Sequence, residues 1–114
     1  MSARSASSTG SERGLIARVW HGAVPAAKGD AYAVYLRRTG VTECRATPGN
    51  VGVEVLRHTA RGETHFLFIS FWKSMEAIRT FAGDDVERAH YYPEDHEYLV
   101  ELEPTVTHYE VLER

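Results

Sequence analysis

The sequence predicts an α+β domain whose elements run β-α-β-β-α-β. Three observations predict it. Four stretches rich in β-branched and aromatic residues, at 15–20, 51–58, 64–72 and 105–112, are bounded by glycine and proline turn signals. Two stretches with near-helical apolar spacing separate the first strand from the second and the third from the fourth. Only the short polar link "TARGE" divides the two middle strands, which makes them an antiparallel hairpin. This is the ferredoxin-like arrangement: a four-stranded antiparallel sheet with its helices on one face.

Taken in order, "LIARVW" ends before Gly22 and Pro25 and is the first strand. Ala27, Ala31, Val34, Tyr35 and Arg38 lie at helical spacing, and Gly40 supplies the stop, so a helix is expected over 25–39. Pro48-Gly49-Asn50 is a turn, and Cys44 falls in the loop before it. "VGVEVLRH" alternates Val51, Val53 and Val55 against Glu54, and "THFLFISFW" follows as the third strand. Ser74 caps the helix "MEAIRTFA", and Gly83 ends it. Asp84 and Glu87 match a capping box, which predicts a second short helix over 85–90, broken by Pro93. Asp95 is placed to cap one more turn, and "TVTHYEVL" closes the chain as a strand.

The chain of 114 residues, 43% hydrophobic and 25% charged, fits one globular domain. Residues 1–13 are too poor in apolar side chains to pack and are expected to be a disordered tail, leaving 14–114 as the domain. A net charge of −3 with interspersed signs argues against nucleic acid and against a polybasic membrane contact. No apolar run is long enough to span a bilayer. The single cysteine excludes an intrachain disulfide and suits a reducing cytoplasm. No glycine-rich dinucleotide fingerprint, P-loop or GxSxG elbow is present.

The third strand is apolar on both faces. Phe66 and Phe68 point one way; Leu67, Ile69 and Phe71 point the other. Helices cover only one face, so the other needs a second cover. The same sheet from a second copy is the economical one, which predicts a homodimer with sheets face to face.

The stretch "FLFISFWKSMEAIRTFAGDDVERAH" resembles the central signature of the antibiotic biosynthesis monooxygenase domain, within the dimeric α+β barrel superfamily. Trp72, Ser74, Glu76-Ala77, Phe81 and His90 fit its pattern in order. The resemblance implies a pocket between sheet and helices in each protomer, and a small aromatic ligand. It also implies cofactor-independent oxygenation of a phenol, quinol or polyketide-like aromatic. Haem-degrading relatives use a His at the position of His90, but place a Trp where this chain has Phe81 and an Asn on the first strand, where "LIARVWHG" has none.

Under that resemblance His90 is the candidate catalytic base, or alternatively a haem ligand or a structural histidine. A helix C-terminus under it would favour its charged form. Arg18, Trp20, Trp72, Phe81 and Tyr91 are the candidate substrate-binding residues. Arg18 and Trp20 share one face of the first strand, and an arginine beside an aromatic suits an anionic or phenolate oxygen. Tyr92 and Tyr98 offer further aromatic walls. His90, Glu94, Asp95 and His96 lack metal-ligand spacing on a regular element, so no metal is expected; Glu94 to Glu97 read as a solvated crossing. His58 and His65 read as solvent-facing strand ends, His108 as placed to reach the dimer interface or, alternatively, the pocket, and Cys44 as non-catalytic. A non-catalytic dimeric binding or stress-associated domain is the alternative to an enzyme.

Overall fold

A computed structural model describes residues 14–114; the expected tail at 1–13 lies outside the described residues. Strands β1 (Ile16–Pro25), β2 (Asn50–Ala60), β3 (Glu63–Trp72) and β4 (Thr107–Glu110) form one antiparallel sheet in the order β2-β3-β1-β4. Helices α1 (Gly29–Leu36), α2 (Thr42–Ala46) and α3 (Met75–Ala82) pack on one face. The ferredoxin-like α+β arrangement is therefore present.

Strand pairing sorts the side chains. Arg18 faces Ser70, Trp20 faces Phe68 and Gly22 faces Phe66 across β1 and β3, all on the helix-covered side. Val19 with Ile69, and His21 with Leu67, lie on the other side. The hairpin between β2 and β3 turns on Arg61 (φ 55°) and Gly62 (φ 81°). Two consecutive positive φ values match the right-handed strand twist, as in type I′ turns. Ser74 accepts the Ala77 backbone N–H at 3.1 Å, and Gly83 (φ 90°) ends α3, both as expected from sequence.

Other boundaries move for identifiable reasons. β1 continues through Gly22 because the ring of Trp20 lies against it: a Cβ there would come within 2.2 Å of that ring. The first helix does not stop at Gly40. A 3₁₀ turn at Ala26–Lys28, α1, a π turn at Arg37–Val41 and α2 run as one helical stretch to Ala46. Gly40 instead admits Phe68, whose ring would lie 2.7 Å from an added Cβ. Cys44 consequently sits in α2, not in a loop.

The helix expected over 85–90 does not form. The Arg18 guanidinium donates to the Val86 and Arg88 carbonyls, while Ala89 N–H bonds Pro104 O and Val106 N–H bonds Glu87 O. With those groups paired outward, no i to i+4 ladder can close. Asp95 takes part in the next turn, a 3₁₀ helix at Pro93–Glu97, but is buried rather than solvated.

The core has two parts. Val24, Tyr32, Tyr35, Leu36, Phe66 and Leu99 form one; Cys44, Trp72 and Ile78, flanked by Phe81 and Phe68, form the other. Among the described residues, no helix is long and apolar enough to cross a membrane.

Candidate functional site

A cavity of about 70 Å³ lies between the sheet and the helices, where the two parts of the core meet. Its floor is Arg18 and Trp20 from β1 with Phe68 and Ser70 from β3. Leu36, Gly40 and Cys44 of the first helical stretch close one side, Phe81 of α3 another. His90, Tyr91 and Tyr92, from the extended connection after α3, form the mouth.

Arg18 is 5% exposed, and three contacts hold it. Nη1 donates to Val86 O and meets His108 Nε2 at 3.2 Å; Nη2 donates to Arg88 O at 3.1 Å. The ring of Phe81 lies 5.9 Å from the guanidinium carbon. Among the described residues, no carboxylate forms an ion pair with Arg18. Burial lowers its pKa, opposed in part by the Cys44 thiol, but an arginine remains a cation. His108 faces inward, beside Arg18 on the neighbouring strand. Burial first, then the Arg18 charge, holds its imidazole below the ordinary range, so near neutral pH it is the uncharged partner that accepts from Arg18.

Trp20 and Tyr91 are joined. The indole Nε1–H donates to the Tyr91 hydroxyl at 3.0 Å, which in turn donates to Glu103 O at 2.6 Å. Both polar groups are thus committed within the protein, and the two residues offer walls rather than free hydrogen bonds. Burial also raises the Tyr91 pKa. Trp72 does not line the cavity. It is fully buried behind Phe81, with ring centroids 5.5 Å apart, and its Nε1–H donates to Ser70 Oγ at 2.8 Å. Its contact with the site runs through those two residues.

His90 stands at the mouth, exposed, with its ring 6.0 Å from Phe81 and edge-on to Tyr92 at 5.9 Å. The helix expected to end at His90 does not form, so no helix terminus lies under it. Tyr92 spans the mouth, with its hydroxyl hydrogen-bonded to Glu43 of α2. Tyr98 instead packs into the core against Tyr32 and Tyr35. His65 is not simply solvated: it stacks on His21 at 5.3 Å, and His21 Nδ1 lies 2.5 Å from Glu103.

The lining also includes residues that sequence does not single out, among them Phe68, Ser70, Cys44 and Asp95. Period-two spacing carried the signal for Ser70, a hydroxyl on the same face as Phe66, Phe68 and Trp72. Cys44 touches the cavity, but burial pushes its thiol up to about 12, which leaves no thiolate at neutral pH. Asp95 is held inside by two donors, the Tyr32 hydroxyl at 2.9 Å and the Tyr92 backbone N–H at 2.7 Å. Of His90, Glu94, Asp95 and His96, Asp95 alone is buried.

Comparison with known proteins places this geometry. The family model for antibiotic biosynthesis monooxygenase matches residues 16–92. A Nitrosomonas europaea protein described as an antibiotic biosynthesis monooxygenase superposes with a TM-score of 0.64 at 18% identity, covering 88% of this chain and 92% of that one. The haem-degrading protein of Mycobacterium tuberculosis, solved haem-free, gives 0.59 at 17% identity over 88% and 96%. A monooxygenase of Streptomyces coelicolor, solved with nanaomycin D, gives 0.51 at 23% identity over 90% and 91%. No curated protein matches the chain. At these identities the structural likenesses speak for the fold, while the family model covers most of the chain from β1 to the cavity mouth. The chain belongs to the antibiotic biosynthesis monooxygenase family.

Proposed function

We propose that the protein is a cofactor-independent monooxygenase acting on a compact phenol, quinol or related aromatic. The observation that carries this reading is the cavity itself: aromatic walls from Trp20, Phe68, Phe81, Tyr91 and Tyr92, a buried cation in Arg18, and an imidazole at the mouth in His90. His90 serves as base and takes the phenolic proton. The resulting anion is electron-rich enough to reduce O2 directly, so the substrate supplies the electrons. For an anthrone-type methylene, one dioxygen molecule turns the methylene into a carbonyl and releases one water. Both C–H bonds break and a C=O bond forms. The carbon loses four electrons, one oxygen atom enters the product, and the other leaves as water with the two hydrogens. Apolar walls keep bulk water from the anion.

The cavity is smaller than the roughly 150 Å³ space that holds a benzene ring. Entry of a ring therefore requires the mouth to open, with His90 and Tyr92 swinging outward and the Tyr92–Glu43 bond parting. Haem does not fit the closed cavity.

With anthrone and dihydroxynaphthalene as substrates, oxygen uptake above the uncatalysed rate is expected, and His90→Ala should lower kcat by about 10²-fold or more. Wild-type protein that binds these compounds without consuming oxygen would support the non-catalytic binding reading instead.

The assembly we propose is a cytoplasmic homodimer. On the face opposite the helices, Leu56 (49% exposed), Leu67 (39%) and Tyr109 (56%) lie beside Val19 and Ile69. Contiguous apolar area of this kind marks an interface. Light scattering at micromolar concentration is expected to give twice the chain mass, and Leu67→Glu, placing a charge in that face, to give the monomer. A monomeric wild type would sink the dimer.

A further inference from the structure

We propose that Arg18 is a preformed anion receptor and His108 its positioning residue, so that the cavity takes its aromatic ligand as an oxyanion, a phenolate, enolate or carboxylate. This uses the cavity of the proposed function but does not depend on turnover.

A guanidinium taken out of water is usually stabilised by a carboxylate. Arg18 is buried and has none within ion-pair distance among the described residues. Its acceptors are the Val86 and Arg88 carbonyls and His108 Nε2. All three orient the guanidinium, and none cancels its charge. A guanidinium carries five N–H donors, so these contacts leave two without a protein acceptor among the described residues.

The other charged group on the cavity wall, Asp95, is already engaged by Tyr32 and Tyr92. The positive charge therefore stays open to the cavity, in an apolar setting where it acts strongly on a ligand. The charged groups near His108 are Arg18, across the β1–β4 ladder, and Glu87 on the turn after α3. A neutral acceptor there fixes Arg18 without an opposing negative charge.

The probe is 4-nitrophenol, a single ring whose phenolate is coloured. Bound to the wild-type protein it is expected to ionise about one pH unit lower than when free, a tenfold preference for the anion. Benzoate should displace it and benzyl alcohol should not. Arg18→Met should abolish the preference while nitrobenzene still binds. His108→Leu should remove most of it, and His108→Gln, which keeps a neutral acceptor, should restore it.

Absence of binding, an unshifted ionisation, or a shift that survives in folded Arg18→Met would each overturn the proposal. If Arg18→Met does not fold, competition by benzoate against benzyl alcohol in the wild type decides. Anion preference without oxygen uptake defeats the monooxygenase reading alone. Oxygen uptake that is indifferent to Arg18 and His108 defeats this one alone.

Discussion

Trp72→Ala is expected to lower the unfolding free energy by about 3–5 kcal/mol, the range for deleting a fully buried aromatic. Trp72 is 0% exposed and sits with Cys44 and Ile78 at the centre of the second part of the core. Two losses combine. The void beside Phe81 removes dispersion contacts that the stiff sheet cannot close over. Ser70 Oγ also loses its indole donor in a buried place. Against a typical total of about 5–15 kcal/mol, the variant stands close to unfolding at about 37 °C. A fall in melting temperature on the order of 15 °C should accompany it. Trp72→Phe keeps a six-membered aromatic ring but loses the hydrogen bond and part of the indole volume, and should cost less than Trp72→Ala, about 1–3 kcal/mol. Denaturant melts followed by circular dichroism measure both. A loss below about 1 kcal/mol for Trp72→Ala would mean that the core is not organised around this residue.

The parts of this fold that were legible in sequence are those whose cause is local. β3 announces itself because Phe66, Phe68, Leu67 and Ile69 leave neither face polar, and α3 because Ser74 and Gly83 stand at its two ends. Arg18 and Trp20 were readable as sharing a face, and strand alternation alone puts them on the cavity floor. The misreadings share another cause. Gly40 resembles a helix stop, yet it is needed because Phe68, far along the chain on β3, packs against it. Residues 85–90 carry a helix-start pattern, but a guanidinium from β1 captures two of their carbonyls. In both, a contact distant in sequence outweighs local preferences worth only fractions of a kcal/mol per residue. Trp72 fits the family pattern that suggests a ligand contact, while its burial makes it a support for Phe81 and Ser70.

Asp95 is a second distant contact, and its removal should loosen the mouth of the cavity more than any other single change. The carboxylate is 3% exposed. Its Oδ1 accepts from the Tyr32 hydroxyl of α1 and its Oδ2 from the Tyr92 N–H, so it ties the mouth segment to the helix layer. Asp95→Ala leaves the buried Tyr32 hydroxyl and the half-buried Tyr92 N–H unpaired, at a cost of about 2–5 kcal/mol. Asp95→Asn keeps one acceptor but turns an amide N–H toward a donor, and should fall between wild type and Asp95→Ala. Tyr32 gives a second readout. Burial, then the charge and hydrogen bond of Asp95, raise its hydroxyl pKa well above the ordinary value. A raised folded pKa means that the unfolded chain releases its proton first. Stability from this source is therefore complete below about pH 10 and declines as pH rises beyond it. Asp95→Ala should flatten that alkaline decline while lowering stability at neutral pH. Hydrogen exchange should quicken at Tyr92 and in the turn at Pro93–Glu97 before it does in the sheet. Faster ligand entry should follow, because Tyr92 would then keep only its hydroxyl bond to Glu43 and its carbonyl bond from the residue 95 N–H. An unchanged exchange rate at Tyr92 in Asp95→Ala would show that the mouth is anchored elsewhere.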